Sequence, residues 1–401
     1  MNDDPPLVAA ACAVDITPQN LDRTVLAGFG LNRRARGVLD PLEASILYLR
    51  AGDTALAIVS LDLIGLGRPW IDAIRGRVSA ITGTALLCGC THTHSGPDTL
   101  GLWGRGLFGA IPLRSGVDRA YLQRTIESVA RGLETCAARA TPVRLRVADF
   151  EMPEHWTRND RGGARFDTAV VAALETDDGE RVATLLNYAS HPETLWRDNA
   201  LVSADFPGAY RRHTAELAGG ISLYLSGPLG GMLTPDVELD ASPQRRRDYA
   251  EALGWTLAET AHAALREAAS QASPRLTHGS LQIALRNTNW RFSALRWLGL
   301  LETGLEAGAV RTELHRLRLG TLELLSAPGE LVPELGARVL EQMTAPHRMI
   351  FGLCGEEVGY ILEPAMFDDE EYAYEVTQSL GRNTAATLMR GYADLEPSSQ
   401  P

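Results

Sequence analysis

Lysine is missing from the 401-residue chain altogether, and all 38 basic residues are arginine. This excludes the P-loop Gly-Lys pair, a pyridoxal Schiff base and any lysine nucleophile. Cysteine is scarce. Cys12, Cys88, Cys90, Cys136 and Cys354 are odd in number, lack zinc-ribbon spacing, and include three inside apolar runs, where a thiol packs as a small hydrophobe. A reducing compartment follows from that usage. No run approaches the roughly 20 apolar residues of a membrane span. The start, MNDDPPLVAAACAVDITP, is acidic where a secretory leader would be basic, and its apolar stretch is broken by Asp15. The sequence thus predicts a cytoplasmic protein. Positive charge is also in deficit: the formal net charge is -12, which leaves no docking surface for nucleic acid.

What is present is ordinary globular material, 45% hydrophobic and 22% charged, enough to bury a full core. Apolar runs alternate with helical patterns. The runs 54–66 and 85–90 flank a helix-like 68–81, which predicts a βαβ unit. Two β-rich runs around Asp-Asp-Gly-Glu predict a hairpin over 168–190. Helices are expected over 117–139, 207–217 and 243–269. A further hairpin ends at Pro328-Gly329-Glu330 before another helix. With no internal repeat, the reading is an α/β fold, a layered mixed β-sheet core with flanking helices. A single domain over 1–395 with a flexible tail at 396–401 is expected.

The stretch ALLCGCTHTHSGP ends a strand-like run in two histidines one residue apart, His92 and His94, which an alternating strand sends to one face. His191 ends the run TLLNYAS in the same way, Glu330 ends a third, and Tyr360 follows a fourth. Ligands collect where strands end in layered α/β folds, and two imidazoles with a carboxylate suit Zn²⁺. Each residue also has a plainer explanation. His191 before a proline can cap a loop, Glu330 can serve as a first-turn helix carboxylate, and Tyr360 can be core. His155, His213, His262, His278, His315 and His347 sit in helical or strand contexts without partners and read as surface or structural residues.

In order, THTHSGP, NYASHPETL, SADFPGAY, SAPGEL and VGYILEP with YAYE resemble the catalytic domain of the neutral/alkaline non-lysosomal ceramidases and their shorter bacterial relatives, over nearly the whole chain. The resemblance implies a Zn²⁺ held by His92, His191, Glu330 and Tyr360. It places His94 against the substrate amide and Tyr374 near the substrate. It also brings an arginine of TRNDRGG to the substrate, either Arg158 or Arg161, with Arg161 preferred. At the family's catalytic serine this chain has Thr234, and Met232 stands at the aspartate position.

The resembled family also continues into a C-terminal immunoglobulin-like domain and is usually exported. This chain is expected to have neither, and a cytoplasmic, single-domain relative is not expected to be a dedicated ceramidase acting on membrane ceramide. The expectation is a zinc-dependent amidohydrolase that cleaves an N-acyl bond of a small-molecule or lipid-like amide substrate. An acyl transferase or cyclase using the same site, a true ceramidase, and a metal-free binding protein are the alternatives. Two segments are candidates to shape the pocket. One is the loop 99–114 with Trp103 and Phe108; the other, 289–305 with Trp290, Phe292 and Trp297, reads either as core or as a lid.

Overall fold

The structure, a computed structural model, describes residues 5–107, 111–238 and 240–395. Phe108 and the tail 396–401 lie outside the described residues. Three mixed sheets carry the architecture. In the first, the strands Ala85–Cys90, Thr54–Leu61, Glu43–Ala51 and Val8–Asp15 lie in that order. The parallel pair 54–61 and 85–90 is joined through the helix Arg68–Thr82, which is the expected βαβ unit. The strand within 54–66 stops at Leu61: Asp62 still pairs with Glu43, its N–H donating to Glu43 O and its carboxylate accepting the Glu43 N–H, and the chain then turns with Leu63 N–H donating to Leu61 O.

The second sheet runs Ile221–Ser226, Arg181–Tyr188, Thr168–Glu175, Arg144–Glu151. Its central hairpin turns at Asp-Asp-Gly-Glu, and the parallel pair 181–188 and 221–226 is bridged by the helix Asp205–Ala218. The third sheet orders Leu276–Arg286, Ala309–Leu319, Leu322–Ser326 and His347–Phe351, the last pair being parallel across the helix Pro333–Leu340.

Alternation along the strands buries both faces. Leu47, Ile58 and Leu87 of the first sheet, Leu145, Leu185 and Leu223 of the second, and Leu317, Leu324 and Phe351 of the third form one shared core. Helices Arg68–Thr82 and Arg119–Arg139 cover the outer face of the first sheet. Asp205–Ala218 and Pro243–Glu267 cover the second, and Pro333–Leu340 with Thr384–Asp394 cover the third. Asn187 stitches the second and third sheets together: its amide donates to the carbonyls of Leu225 and Ile350, and its oxygen accepts the N–H of Ile350. With both amide protons and the amide oxygen engaged, the junction fixes how the two sheets meet.

The parallel strands end on one side of the molecule, and the site is built there. Among the described residues, no helix is long and apolar enough to cross a membrane.

Candidate active site

After Cys90 the chain stays clipped to the neighbouring strand end, with Thr91 N–H donating to Leu61 O and His92 N–H to Leu63 O. His92 is left-handed at φ 72°, a conformation that costs a non-glycine residue about 1–3 kcal/mol and persists only where its surroundings dictate it. Asp62 supplies part of that support: buried against Arg211, it accepts from the Thr91 hydroxyl at 3.2 Å. The imidazole of His92 sits 2.5 Å through Nδ1 from Ile64 O. A carbonyl only accepts, so Nδ1 carries the proton and Nε2 presents its lone pair to the site. His191 repeats the arrangement, with both its backbone N–H and Nδ1 donating to Leu233 O at 2.8 Å.

The two Nε2 atoms converge on one carboxylate oxygen. Glu330 Oε2 lies 3.1 Å from His191 Nε2 and 3.6 Å from His92 Nε2. Glu330 and Tyr360 are partners in a short parallel bridge, so their side chains leave the backbone side by side. The Tyr360 hydroxyl rests 3.6 Å from Met232 Sδ, and its ring lies 6.2 Å from that of Tyr374. His94 completes the cluster: nitrogen atoms of His92, His94 and His191 lie within 4.8 Å of one another, all buried.

Burial and the neighbouring charges set the ionisation of the cluster. Burial pushes His92 down to about 3, against the pull of Glu330, with His94 and His191 adding to the fall. Burial also works against a charge on His191, yet Glu330 and Glu193 outweigh it and raise it to about 9. Glu330 is lowered because the three histidines more than offset the cost of burying it. Two imidazoles with Nε2 turned toward one carboxylate and Nδ1 held by backbone carbonyls fit a divalent ion such as Zn²⁺ once the proton that His191 shares with Glu330 has left.

His94 is fixed differently. Its backbone N–H donates to Pro192 O at 3.0 Å, and its carbonyl accepts from Arg33. Its Nδ1 lies 3.1 Å from Glu193 Oε2, at ion-pair distance though off hydrogen-bond alignment. Burial opposes a charge on Glu193, but His94, His191 and the Thr234 hydroxyl together bring it down to about 2. Phe29 stands edge-on to the His94 ring at 5.0 Å. Gly28, at φ 92°, packs directly beneath it, where a Cβ would fall 2.4 Å from Cγ.

The structure separates the two candidate arginines. Arg158 is held by Asp160, Asp236 and the carbonyls of Pro235 and Val237, within the strand pair that sets it opposite Thr234. Arg161 binds the buried Glu375 through Nε at 2.7 Å, next in sequence to Tyr374. Neither lines the cleft described next. Sequence reasoning missed Glu193, Gly28 and Glu357. The acidic residue two places after His191 was the available signal for Glu193; Gly28 and Glu357 offered none, since their roles depend on what the fold lays against them.

An open cleft lies over the cluster. His92, His94, Glu330, Tyr360 and Tyr374 form its polar end, and Leu100, Leu102, Trp103, Phe292, Leu301 and Val310 much of the rest. Asp98 shapes the glycine-rich loop by accepting the N–H groups of Leu100, Gly101, Trp103 and Gly116. The segment 289–305 contributes Phe292 to the wall, but Trp290 and Trp297 of the helix Trp290–Trp297 are 73% and 85% exposed and are not core.

No protein-family model and no curated protein sequence matches the chain. Solved structures do. Neutral ceramidase from Pseudomonas aeruginosa superposes with a TM-score of 0.79 at 18% identity, over 98% of this chain and 74% of that one. A ceramidase complexed with C2 superposes with a TM-score of 0.81 at 16% identity, over 98% of this chain and 75% of that one. The chain therefore has the fold of the neutral ceramidases.

Proposed function

We propose that the protein is a zinc-dependent amidohydrolase that cleaves the N-acyl bond of a small or lipid-like amide. The observation that carries this reading is the convergence of His92 Nε2 and His191 Nε2 on Glu330 Oε2, with both Nδ1 atoms committed to backbone carbonyls, at the polar end of an apolar cleft. The fold shared with the two ceramidases supports it. His92, His191 and Glu330, with Tyr360 beside Glu330, would hold the metal. Bound there, a zinc ion supplies Lewis acidity and lowers the pKa of water.

The remaining steps belong to the side chains. The cleft's apolar wall takes the acyl chain and excludes water, which strengthens every charge–dipole contact at the polar end. His94 lines the cleft and faces the position of the amide oxygen. Glu193, 3.1 Å behind its Nδ1, favours a proton there and positive charge on the ring as the amide reacts. Tyr374 stands at the mouth within reach of the leaving amine, with Arg161 held beside it through Glu375. Thr234 joins this group as a hydroxyl on Glu193, not as a nucleophile in the cleft.

The test is metal analysis of the purified protein together with a screen of N-acyl compounds. About one zinc per chain and release of free amine are expected, and His92→Ala and His191→Ala should lose both. Full zinc occupancy in both variants would overturn the ligand assignment, and failure to cleave any N-acyl compound would overturn the reaction.

A further inference from the structure

Two glutamates, Glu356 and Glu357, stand side by side on the turn that leads to Tyr360, and both are buried. Glu356 has a full set of partners: its Oε2 accepts the N–H groups of Arg68 at 2.9 Å and Gly304 at 3.1 Å, which ties a helix start and a loop to the turn. Glu357 has no such set. Its Oε1 accepts the N–H of Gly359 at 2.7 Å, while its Oε2 is buried with no hydrogen-bond partner among the described residues. The side chain lines the cleft, among Ile64, Leu100, Leu305 and Val310. From behind it is braced: a Cβ at Gly65 would fall 2.6 Å from Glu357 Cγ and 2.8 Å from its Cβ, so the stem of the side chain packs against Gly65.

A buried polar oxygen without a partner is destabilising, and proteins keep such groups where something else supplies the partner. The mechanism above makes no use of this one. The acyl chain that suits the rest of the wall cannot satisfy it.

We propose that Glu357 is a specificity-determining residue whose Oε2 hydrogen-bonds a hydroxyl group carried by the substrate close to the amide. This rests on reading the cleft as the amide site. A hydroxyl is the group that fits because it both donates and accepts, and so pairs with the carboxyl whether or not that carboxyl is ionised. The hydroxyl lies near the amide because Glu357 lines the same cleft as Glu330 and Tyr360 and stands three residues before Tyr360. A site built around a hydroxyl rejects the analogue lacking it far more strongly than an apolar pocket rejects a missing methylene, since the analogue leaves the buried partner unpaired.

The test uses two pairs of probes: N-dodecanoyl-2-aminoethanol against N-dodecanoyl-ethylamine, and N-(3-hydroxydodecanoyl)-ethylamine against the same plain amide. Dissociation constants on the zinc-loaded parent, Glu357→Gln and Glu357→Met are measured by competition, and cleavage rates are followed in parallel. In the parent, at least one hydroxylated probe should bind tenfold or more tightly than the plain amide. Glu357→Met should bring that ratio to within about threefold while binding the plain amide at least as well, and Glu357→Gln should keep part of the preference. Absence of any preference in the parent, its persistence in Glu357→Met, or loss of zinc from Glu357→Met would each overturn the proposal. Failure of the amidohydrolase reading shows separately, as no cleavage of any probe whatever the binding preference.

Discussion

Replacing Gly28 by alanine tests the placement of the His94 ring without altering any proposed metal ligand. The added Cβ would stand 2.4 Å from His94 Cγ, 2.5 Å from Nδ1 and 2.7 Å from Cβ, where ordinary contact begins at 3.4 Å. One partner must therefore move by about 1 Å. The Gly28 backbone is poorly placed to do so: Ala27 N–H is bound to Gly96 O, Leu26 N–H to Arg33 O, and the Ala27 carbonyl to the Arg33 guanidinium. The ring moves instead, away from its 3.1 Å approach to Glu193. A misplacement of about 1 Å in a reacting group costs on the order of 100-fold in rate. The φ of 92° adds about 1–3 kcal/mol of backbone strain for alanine, which a thermal melt registers. Gly30→Ala is the control, because a Cβ there meets nothing within 4 Å. Turnover of a cleavable N-acyl amide, zinc content and melting temperature are measured for parent and both variants. The expectation is about 100-fold lower kcat for Gly28→Ala with zinc retained, and little change for Gly30→Ala. Turnover within threefold of the parent in folded, zinc-replete Gly28→Ala would refute the claim that His94 acts through its position.

Three further outcomes follow from the same geometry. Glu193→Gln should lower kcat about 10- to 100-fold with zinc retained, and Thr234→Ser should be close to the parent; equal activity of Glu193→Gln in a pH-rate profile from 5 to 9 would remove Glu193 from the mechanism. His191 is raised to about 9 by its pairing with Glu330, and the ion can bind only after that proton leaves. Apparent zinc affinity should therefore climb about tenfold per pH unit below 9 and level off above it; affinity flat from pH 6 to 9 in competition with a chelator of known pH response would contradict this. Arg211→Ala leaves Asp62 as a buried unpaired charge behind Thr91 and should cost about 3–5 kcal/mol in denaturant unfolding, whereas a loss below 1 kcal/mol would show that water or a shifted side chain takes over the role.

Much of the architecture was legible in the sequence because it rests on local signals. The parallel pair around Arg68–Thr82 and the Asp-Asp-Gly-Glu hairpin were both readable from run length and turn residues. The motifs also marked which strand ends matter: His92, His94, His191, Glu330 and Tyr360 do meet in space. What could not be read were contacts that exist only through long-range packing. Gly28 acquires a role because the fold lays it under His94, and Glu357 because the turn after Cys354 lines the cleft. The Trp290–Trp297 segment was ambiguous for the opposite reason. Its aromatic spacing suits a buried stripe, yet its tryptophans face solvent.

The three strand ends that present His92, His191 and Glu330 come from widely separated stretches of the chain and belong to three different sheets. On the proposed assignment, a ribosome-bound chain has no complete binding site until the third sheet has emerged and docked. Metal loading is then the last event of biogenesis, unlike that of a zinc finger, whose ligands lie close together in sequence and whose folding the ion itself drives. Chelation should accordingly empty a preassembled scaffold, and returning the ion should restore it without a refolding lag.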